Sequence, residues 1–343
     1  MSEGAYEHDL AVVIGRFQPF HRGHLALLEH GLRLAPRALL VLGSARGPRM
    51  AKNPFTADER LETIRESLAP DERARTSFAP VRDYYDEPRW AGAVKTAVAK
   101  ETQGSVALVG FRKDESSTYL SLFPEWHEVA LPRQAPIDGT ALRRSYFESD
   151  AASLPTDVAA AVPEAVARFL SEFRGTAHFE RLREELRALD ESRDKYGSGP
   201  FVTVDALVTC AEQLLLVERG RAPGKALWAL PGGFLDGSER LLSAALRELA
   251  EETQIACTGA ELRGALRGVV VFDHPQRSQR GRTITHVHHF DLARVEMALP
   301  QVAGADDAAE ARWFPISALA GMTERLFEDH FQIIDHFLAI SRD

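Results

Sequence analysis

The sequence predicts an α/β chain of two domains, the first on an open parallel sheet with crossover helices and the second on a mixed sheet with helices packed on it. Three observations carry that expectation. In the first half, short apolar runs, "LAVVI" (10–14), "ALLVLGS" (38–44) and "SVALVGF" (105–111), alternate with the helical patterns "HLALLEHGLRLA" and "TADERLETIRESL". Around residue 175 the texture changes to "HFERLREELRALDESRDKYGSGP", a charged stretch that ends in Gly, Ser and Pro and reads as a helical linker. From residue 200, "FVTVDALVTC", "QLLLVERG", "GVVVFDH" and "THVHHFDLARV" read as strands, with one strong helix over 238–253. The expected domains are therefore 1–178 and 200–343, joined by 179–199.

With 343 residues, 45% hydrophobic and 27% charged, the chain has the composition of a soluble globular protein. A net charge of -9 argues against broad binding to nucleic acid, which needs an exposed basic surface. Two cysteines, Cys210 and Cys257, cannot build a disulfide framework or a four-cysteine zinc site. "MSEGAYEHDL" lacks the order of a signal peptide, and no apolar run approaches a membrane span of about 20 residues. A cytoplasmic protein with no membrane or nucleic-acid partner is expected, and a homo-oligomer is left open.

Taken in order, the first strand ends at Gly15, and the next two reach Gly43 and Gly110. In open parallel sheets ligands bind beyond such carboxyl ends. After Gly15 comes "RFQPFHRGH", with His21 and His24 three apart. A metal site would need more ligands than this pair supplies. A solvated pair at a helix start is the plain alternative. The position offers a third reading, because backbone N–H groups and the helix dipole favour anions there. Two imidazoles can donate to phosphate oxygens while Gly23 allows close approach. Thr56 is the expected N-cap of the following helix.

In the second half, "GFLDGSERLLSAALRELAEETQI" places Glu248, Glu251 and Glu252 on one helix face, while Leu242, Ala245, Leu246 and Leu249 face the sheet. Three carboxylates together suit Mg²⁺ or Mn²⁺, and a solvated acidic face is the alternative. The stretch resembles the Nudix hydrolase box at Gly233, Glu239, Arg247, Glu248, Leu249, Glu251, Glu252 and Ile255. Its one departure is Gln254, where the pattern has a helix-ending glycine with positive φ.

The resemblance implies a Nudix α/β/α sandwich that hydrolyses a nucleoside diphosphate derivative. Glu248, Glu251 and Glu252 would hold metal, with the Gly232 carbonyl, while Glu239 and Arg247 orient them. "FDHPQRSQRGRTITH" offers Arg277, Arg280 and Arg282; it resembles a segment of ADP-ribose pyrophosphatases fused to an adenylyltransferase, or is a flexible basic loop. Asp306, Asp307 and Glu310 are candidates for a loop base. His286, His288 and His289 in "THVHHF" are expected to pack on their strand or make a polar contact near substrate. "EDHFQIIDHFL" reads as a core helix.

"GRFQPFHRGH" in turn resembles the signature of nucleotidyltransferases with a Rossmann-like sheet. "IDGTALR" stands for their second motif, with Thr140 and Arg143 retained and Asp138 replacing a serine. "GSARGPRMAKNPFTADER", "RDYYDEPRWAGAV" and "GFRKDESSTYLSLFPEW" look like nicotinamide mononucleotide adenylyltransferases, and the chain as a whole resembles the bifunctional adenylyltransferase/Nudix hydrolases.

On that resemblance, Gly15, Arg16, Phe17, Gly23 and Thr140 would bind ATP, the co-substrate, and His21, His24 and Arg143 would act on its phosphates with Mg²⁺. Phe111, Arg112, Lys113 and Asp114 would lie near substrate, and Trp90 would stack on nicotinamide or simply pack in the core. The small-molecule partners are then ATP, nicotinamide mononucleotide and ADP-ribose. Two alternatives stand beside this: another phosphorylated acceptor for the adenylyl group, or a Nudix half that senses a nucleotide without cleaving it.

Overall fold

Leu10–Val13 lack any alternation of polar and apolar residues, and in the folded chain they are buried, as a central parallel strand requires. A computed structural model describes residues 6–111, 120–131, 137–151, 153–292 and 299–341. The chain divides into two compact units, Met1–Arg183 and Glu184–Asp343.

In the first unit the strands are β1 (Leu10–Gly15), β2 (Ala38–Leu42), β3 (Thr76–Pro80), β4 (Val106–Gly110) and β5 (His127–Ala130). They run in the order β3-β2-β1-β4-β5, and every pairing is parallel. The order reverses between β1 and β4, which opens a crevice at their carboxyl ends. The connecting helices include α1 (Arg22–Leu34), α2 (Ala57–Ser67), α3 (Pro70–Ala74), α4 (Glu87–Ala99), α5 (Gly139–Glu148), α6 (Thr156–Ala161) and α7 (Glu164–Phe173). Thr56 caps α2 as expected, accepting from Glu59 N–H while the Glu59 carboxylate accepts from Thr56 N–H.

The division between the units falls inside α8 (Ala177–Tyr196), the charged helix. The second unit carries β6 (Phe201–Cys210), β7 (Gln213–Arg219), β8 (Trp228–Ala229), β9 (Gly232–Phe234), α9 (Leu241–Thr253), α10 (Gly259–Ala265), β10 (Leu266–Phe272), β11 (Thr283–Asp291), β12 (Ala308–Pro315), α11 (Ile316–Leu319) and α12 (His330–Leu338). Its main sheet runs β10-β11-β6-β7-β12, with β11 and β6 parallel and the other pairs antiparallel, while β8 and β9 pair on β7 and β6. The mixed sheet is the one the sequence predicts. Leu249 of α9 packs with Ala206, Val208 and Phe290, and Ala244 and Ala245 pack on Val204. The C-terminal α12 is core: Phe331 and Ile334 are buried with Leu326 and Trp228.

The Nudix-box helix starts at Leu241, after a turn in which Asp236 N–H donates to Glu239 Oε1. It ends at Gln254, which adopts a left-handed conformation with φ 45° and ψ 34°. A side chain there costs about 1–2 kcal/mol of backbone strain, partly offset by the greater entropy that glycine loses on folding. Gln254→Gly is expected to stabilise the second unit by about 1 kcal/mol. Thermal unfolding should show a rise in Tm of about 2–4 °C; an unchanged or lower Tm would mean that the left-handed turn carries no net strain.

Candidate active sites

The first site gathers at the ends of β1 and β2 and the starts of α1 and α5. His21 is the N-cap residue of α1, and His24 lies in its first turn. Their rings stack with centroids 3.5 Å apart, and His21 N–H donates to His24 Nδ1 at 3.3 Å. With Nδ1 accepting, a neutral His24 carries its proton on Nε2 as a donor. A Cβ on Gly23 would meet the His21 ring at 3.1 Å, so glycine there makes room for the imidazole. Phe17 is 1% exposed, with its ring edge-on to both Phe20 and His24. Its side chain thus supports the loop from beneath. It also explains Gly15, whose Cβ would lie 2.8 Å from that ring.

Arg143 comes to this loop from 125 residues away: its Nη1 donates to Gln18 O at 2.7 Å and its Nη2 to Thr140 Oγ1 at 3.1 Å. Burial brings its pKa down to about 10, Arg16 adds to the shift, and Asp138 opposes it. Asp138 itself caps α5, accepting from Thr140 N–H and Ala141 N–H at 2.8 and 3.0 Å. The departure from serine therefore keeps an N-cap acceptor.

One cation here escaped the sequence reading. Arg60 on α2 is 2% exposed and donates to Arg16 O at 2.6 Å, Gly43 O at 2.8 Å and Ser44 O at 3.3 Å. Burial lowers its pKa to about 10, Asp83 opposes this and Arg16 adds to it. Arg16 thus repels both Arg60 and Arg143 at one end of the sheet, an arrangement that favours an anion. Phe111 directly follows β4, with its ring 4.0 Å from where a Gly23 Cβ would be. Trp90 on α4 is half-buried and tilts on Phe123 at 5.9 Å, so it packs on the core. Arg112, Lys113 and Asp114 lie outside the described residues.

The second site lies where α9 faces β9. A Cβ on Gly233 would sit 2.3 Å from Glu248 Oε1, and one on Gly232 2.6 Å from Asp205 Oδ1, so both glycines admit carboxylates to the backbone. Glu252 Oε2 accepts from Gly232 N–H at 2.9 Å. Arg247 donates to Glu239 Oε1 and Oε2 at 2.7 and 3.2 Å, and its Nη1 to Glu248 Oε1 and Glu251 Oε2, each at 2.9 Å. The hydrogen bonds to Glu239 lead in raising the Arg247 pKa.

The expected three-carboxylate metal grip is not drawn together on one point. Among the described residues no three Asp, Glu, His or Cys side chains stand at metal-holding spacing, because Glu248 and Glu251 turn to Arg247 and Glu252 turns to Gly232. The donor chemistry nonetheless fits a hard divalent cation. Burial pushes Glu252 up to about 7 against the Gly232 hydrogen bond, with Glu248 and Asp205 adding to the rise. Burial likewise raises Glu248 against Arg247, with Glu251 and Asp306 pushing further. Of the three loop-base candidates, Asp306 is thus the one whose charge reaches the box. Asp307 pairs with Arg221, and Glu310 with Arg312 on its own strand.

The three arginines part company. Arg277 is not a surface contact: it forms a bidentate ion pair with Asp329 at 2.8 and 2.9 Å, both side chains 4% exposed. Burial opposes its charge, but Asp329 and Asp205 outweigh that and raise its pKa. Arg282 donates to Asp273 O. Arg280 lies over the Phe234 ring at 5.1 Å, with its Nε buried and lacking a hydrogen-bond partner among the described residues. Asp205, which the sequence did not flag, is buried on β6 and accepts from Thr285 Oγ1. Burial raises its pKa, opposed by Arg277 first and then by Thr285 and Arg280. His288 is buried, with Nδ1 3.0 Å from His286 O, and His289 Nε2 is 3.3 Å from Thr209 Oγ1, so both pack on the sheet. Among the described residues no helix is long and apolar enough to cross a membrane.

Residues 12–135 match the cytidylyltransferase-like family model and residues 199–337 the NUDIX domain model. A nicotinamide/nicotinic acid mononucleotide adenylyltransferase of Acinetobacter baylyi is 36% identical over 190 residues, 54% of this chain and 98% of that protein. An ADP-ribose pyrophosphatase of Methanocaldococcus jannaschii is 32% identical over 139 residues, 40% of this chain and 73% of that protein. The crystal structure of a bifunctional NMN adenylyltransferase/ADP-ribose pyrophosphatase from Francisella tularensis matches with TM-score 0.88 and 34% identity, covering 97% of this chain and 99% of that one. The same bifunctional protein complexed with AMP and a Mn ion matches with TM-score 0.86. With both units accounted for in one relative, the chain belongs to the family of bifunctional NMN adenylyltransferase/ADP-ribose pyrophosphatases.

Proposed function

We propose that the first unit transfers an adenylyl group from ATP to nicotinamide mononucleotide, giving NAD and pyrophosphate, and that the second hydrolyses ADP-ribose to AMP and ribose 5-phosphate. The observation that carries this is the 34% identity and TM-score of 0.88 to a bifunctional enzyme over 97% of the chain.

In the first reaction a 5′-phosphate oxygen of the mononucleotide attacks the α-phosphorus of ATP in line. The bond to the β-phosphate oxygen breaks as the new P–O bond forms. His24 Nε2–H and His21 donate to phosphate oxygens at the α1 start, and Arg16 and Arg143 stabilise the charge that gathers on the leaving pyrophosphate. Gly15, Gly23, Phe17 and Thr140 shape and support that pocket, and Phe111 flanks the nicotinamide side.

In the second reaction water attacks a phosphorus of the diphosphate, and the bridging P–O bond breaks. Glu248, Glu251 and Glu252, with the Gly232 carbonyl, would hold Mg²⁺ or Mn²⁺, which would neutralise the diphosphate and activate water. Glu239 keeps Arg247 in place, and Arg247 orients Glu248 and Glu251. Asp306 is the favoured loop base, and Arg280, whose Nε lacks a hydrogen-bond partner among the described residues, binds the substrate.

An assay of purified full chain with Mg²⁺ tests both halves. ATP plus nicotinamide mononucleotide should yield NAD and pyrophosphate, and ADP-ribose should yield AMP. ADP-ribose that binds but persists would favour a sensing role for the second unit, and failure with this mononucleotide alone would point to another phosphorylated acceptor.

A further inference from the structure

The loop between β10 and β11 carries Arg280. Its start is closed by Arg277 N–H donating to His274 O at 3.1 Å and its far end by Arg282 N–H donating to Ser198 O at 2.9 Å, but its middle, residues 278–280, rests on other partners. A corner of chain just before α12 supplies them. Ser278 Oγ–H donates to Glu328 Oε1 at 3.0 Å, and Gln279 N–H donates to the same oxygen at 2.8 Å. Arg280 N–H donates in turn to Ser278 Oγ at 3.3 Å. One carboxylate oxygen therefore terminates a relay that ends on the backbone of Arg280. The Arg277–Asp329 pair anchors the loop stem, one residue before Ser278 and one after Glu328.

The same corner also grips the strand that leads into the box. Phe327 N–H donates to Trp228 O at 2.8 Å, and Leu230 N–H donates to His330 Nδ1 at 2.9 Å. Two residues past Leu230 stands Gly232, whose N–H meets Glu252. His330 stays neutral and so can accept that bond, because burial brings its pKa down to about 3, with Arg277, Arg219 and Arg280 adding to the shift and Glu328 opposing it. Glu328 adopts a left-handed φ of 42°, a conformation that side-chain-bearing residues rarely take.

We propose that Phe327–His330 is a clamp that sets the β10–β11 loop over the hydrolase site, and that Glu328 is a positioning residue acting on substrate through Arg280. This rests on the reading of the second unit as an ADP-ribose site. Among the described residues the Glu328 carboxylate hydrogen-bonds to Ser278 and Gln279 and to no box residue, so its loss should weaken substrate binding rather than slow the bond-breaking step. It is only partly buried, which makes it the member of the clamp that can be changed with least damage to the core.

The test is a double-mutant cycle in the full chain with Mg²⁺, using Glu328→Ala, Arg280→Ala and the two together, with Glu328→Gln as the conservative variant. KM and kcat for ADP-ribose are measured beside the calorimetric Kd. Glu328→Ala is expected to raise KM and Kd about tenfold with kcat within about twofold of wild type. Glu328→Gln keeps an oxygen acceptor and should recover most of that loss. The double variant should bind no worse than Arg280→Ala alone. Additive losses, a Gln variant as impaired as Ala, or a fall in kcat at unchanged KM would each overturn the clamp. A wild-type chain that binds ADP-ribose without cleaving it would defeat the hydrolase reading alone, because the Kd cycle still tests the clamp. No binding by wild type would defeat both.

Discussion

His24→Ala is expected to lower kcat for NAD formation by about 10²–10³-fold, the usual loss when one donor aimed at developing charge is removed. The geometry explains why the side chain is not replaceable by its neighbour. His24 Nδ1 is engaged by His21 N–H, which leaves Nε2 to donate, and its ring stacks at 3.5 Å on His21. Alanine removes the donor and also frees the His21 ring, so the pair loses its shared orientation. Because the bond is made to charge that grows during transfer, kcat should fall while KM changes little. ADP-ribose hydrolysis by the same preparation should stay within about twofold of wild type. Equal loss of both activities would place His24 in folding and not in catalysis.

Glu252→Gln is the counterpart in the second unit, with an expected fall in kcat for ADP-ribose hydrolysis of about 10³-fold and NAD formation retained. Glutamine keeps the volume and an acceptor for Gly232 N–H, so what is lost is the charge. The effect on stability should run the other way. Burial holds the folded Glu252 up at about 7 against an ordinary 4.5, so the folded state binds more protons than the unfolded one between those values. Stability contributed by this group is therefore present below pH 4.5 and declines as pH rises through 7. At about pH 8, with divalent metal chelated, the Gln variant should melt no lower than wild type and should show a weaker decline across that range. A lower Tm for the variant would contradict the burial penalty, and undiminished hydrolysis would remove Glu252 from the site.

Much of this was legible from the sequence, for reasons that differ by element. β1, β2 and β4 announce themselves as apolar runs because they are buried, whereas "TSFAP" of β3 and "HEVA" of β5 are sheet edges, only half-buried, and carry no such run. The Glu248–Glu251–Glu252 face follows from helical spacing alone. Arg277 and Arg280 could not be told apart, since only tertiary folding brings Asp329, 52 residues away, to one of them. Arg60 and Asp205 were invisible for the same reason: each is an ordinary charged residue until remote backbone surrounds it. The roles of the site residues follow from chemistry and likeness, and the variants above are their test.

Arg60 has a consequence for the timing of order. Its guanidinium fastens the first carbonyls of the loops that leave β1 and β2, Arg16 O, Gly43 O and Ser44 O, from within the core. Those loop starts are fixed when the chain folds, before any nucleotide arrives. The entropy of arranging them is therefore surrendered once in the life of the molecule and not again at each turnover, leaving more of the binding energy for the reacting phosphates.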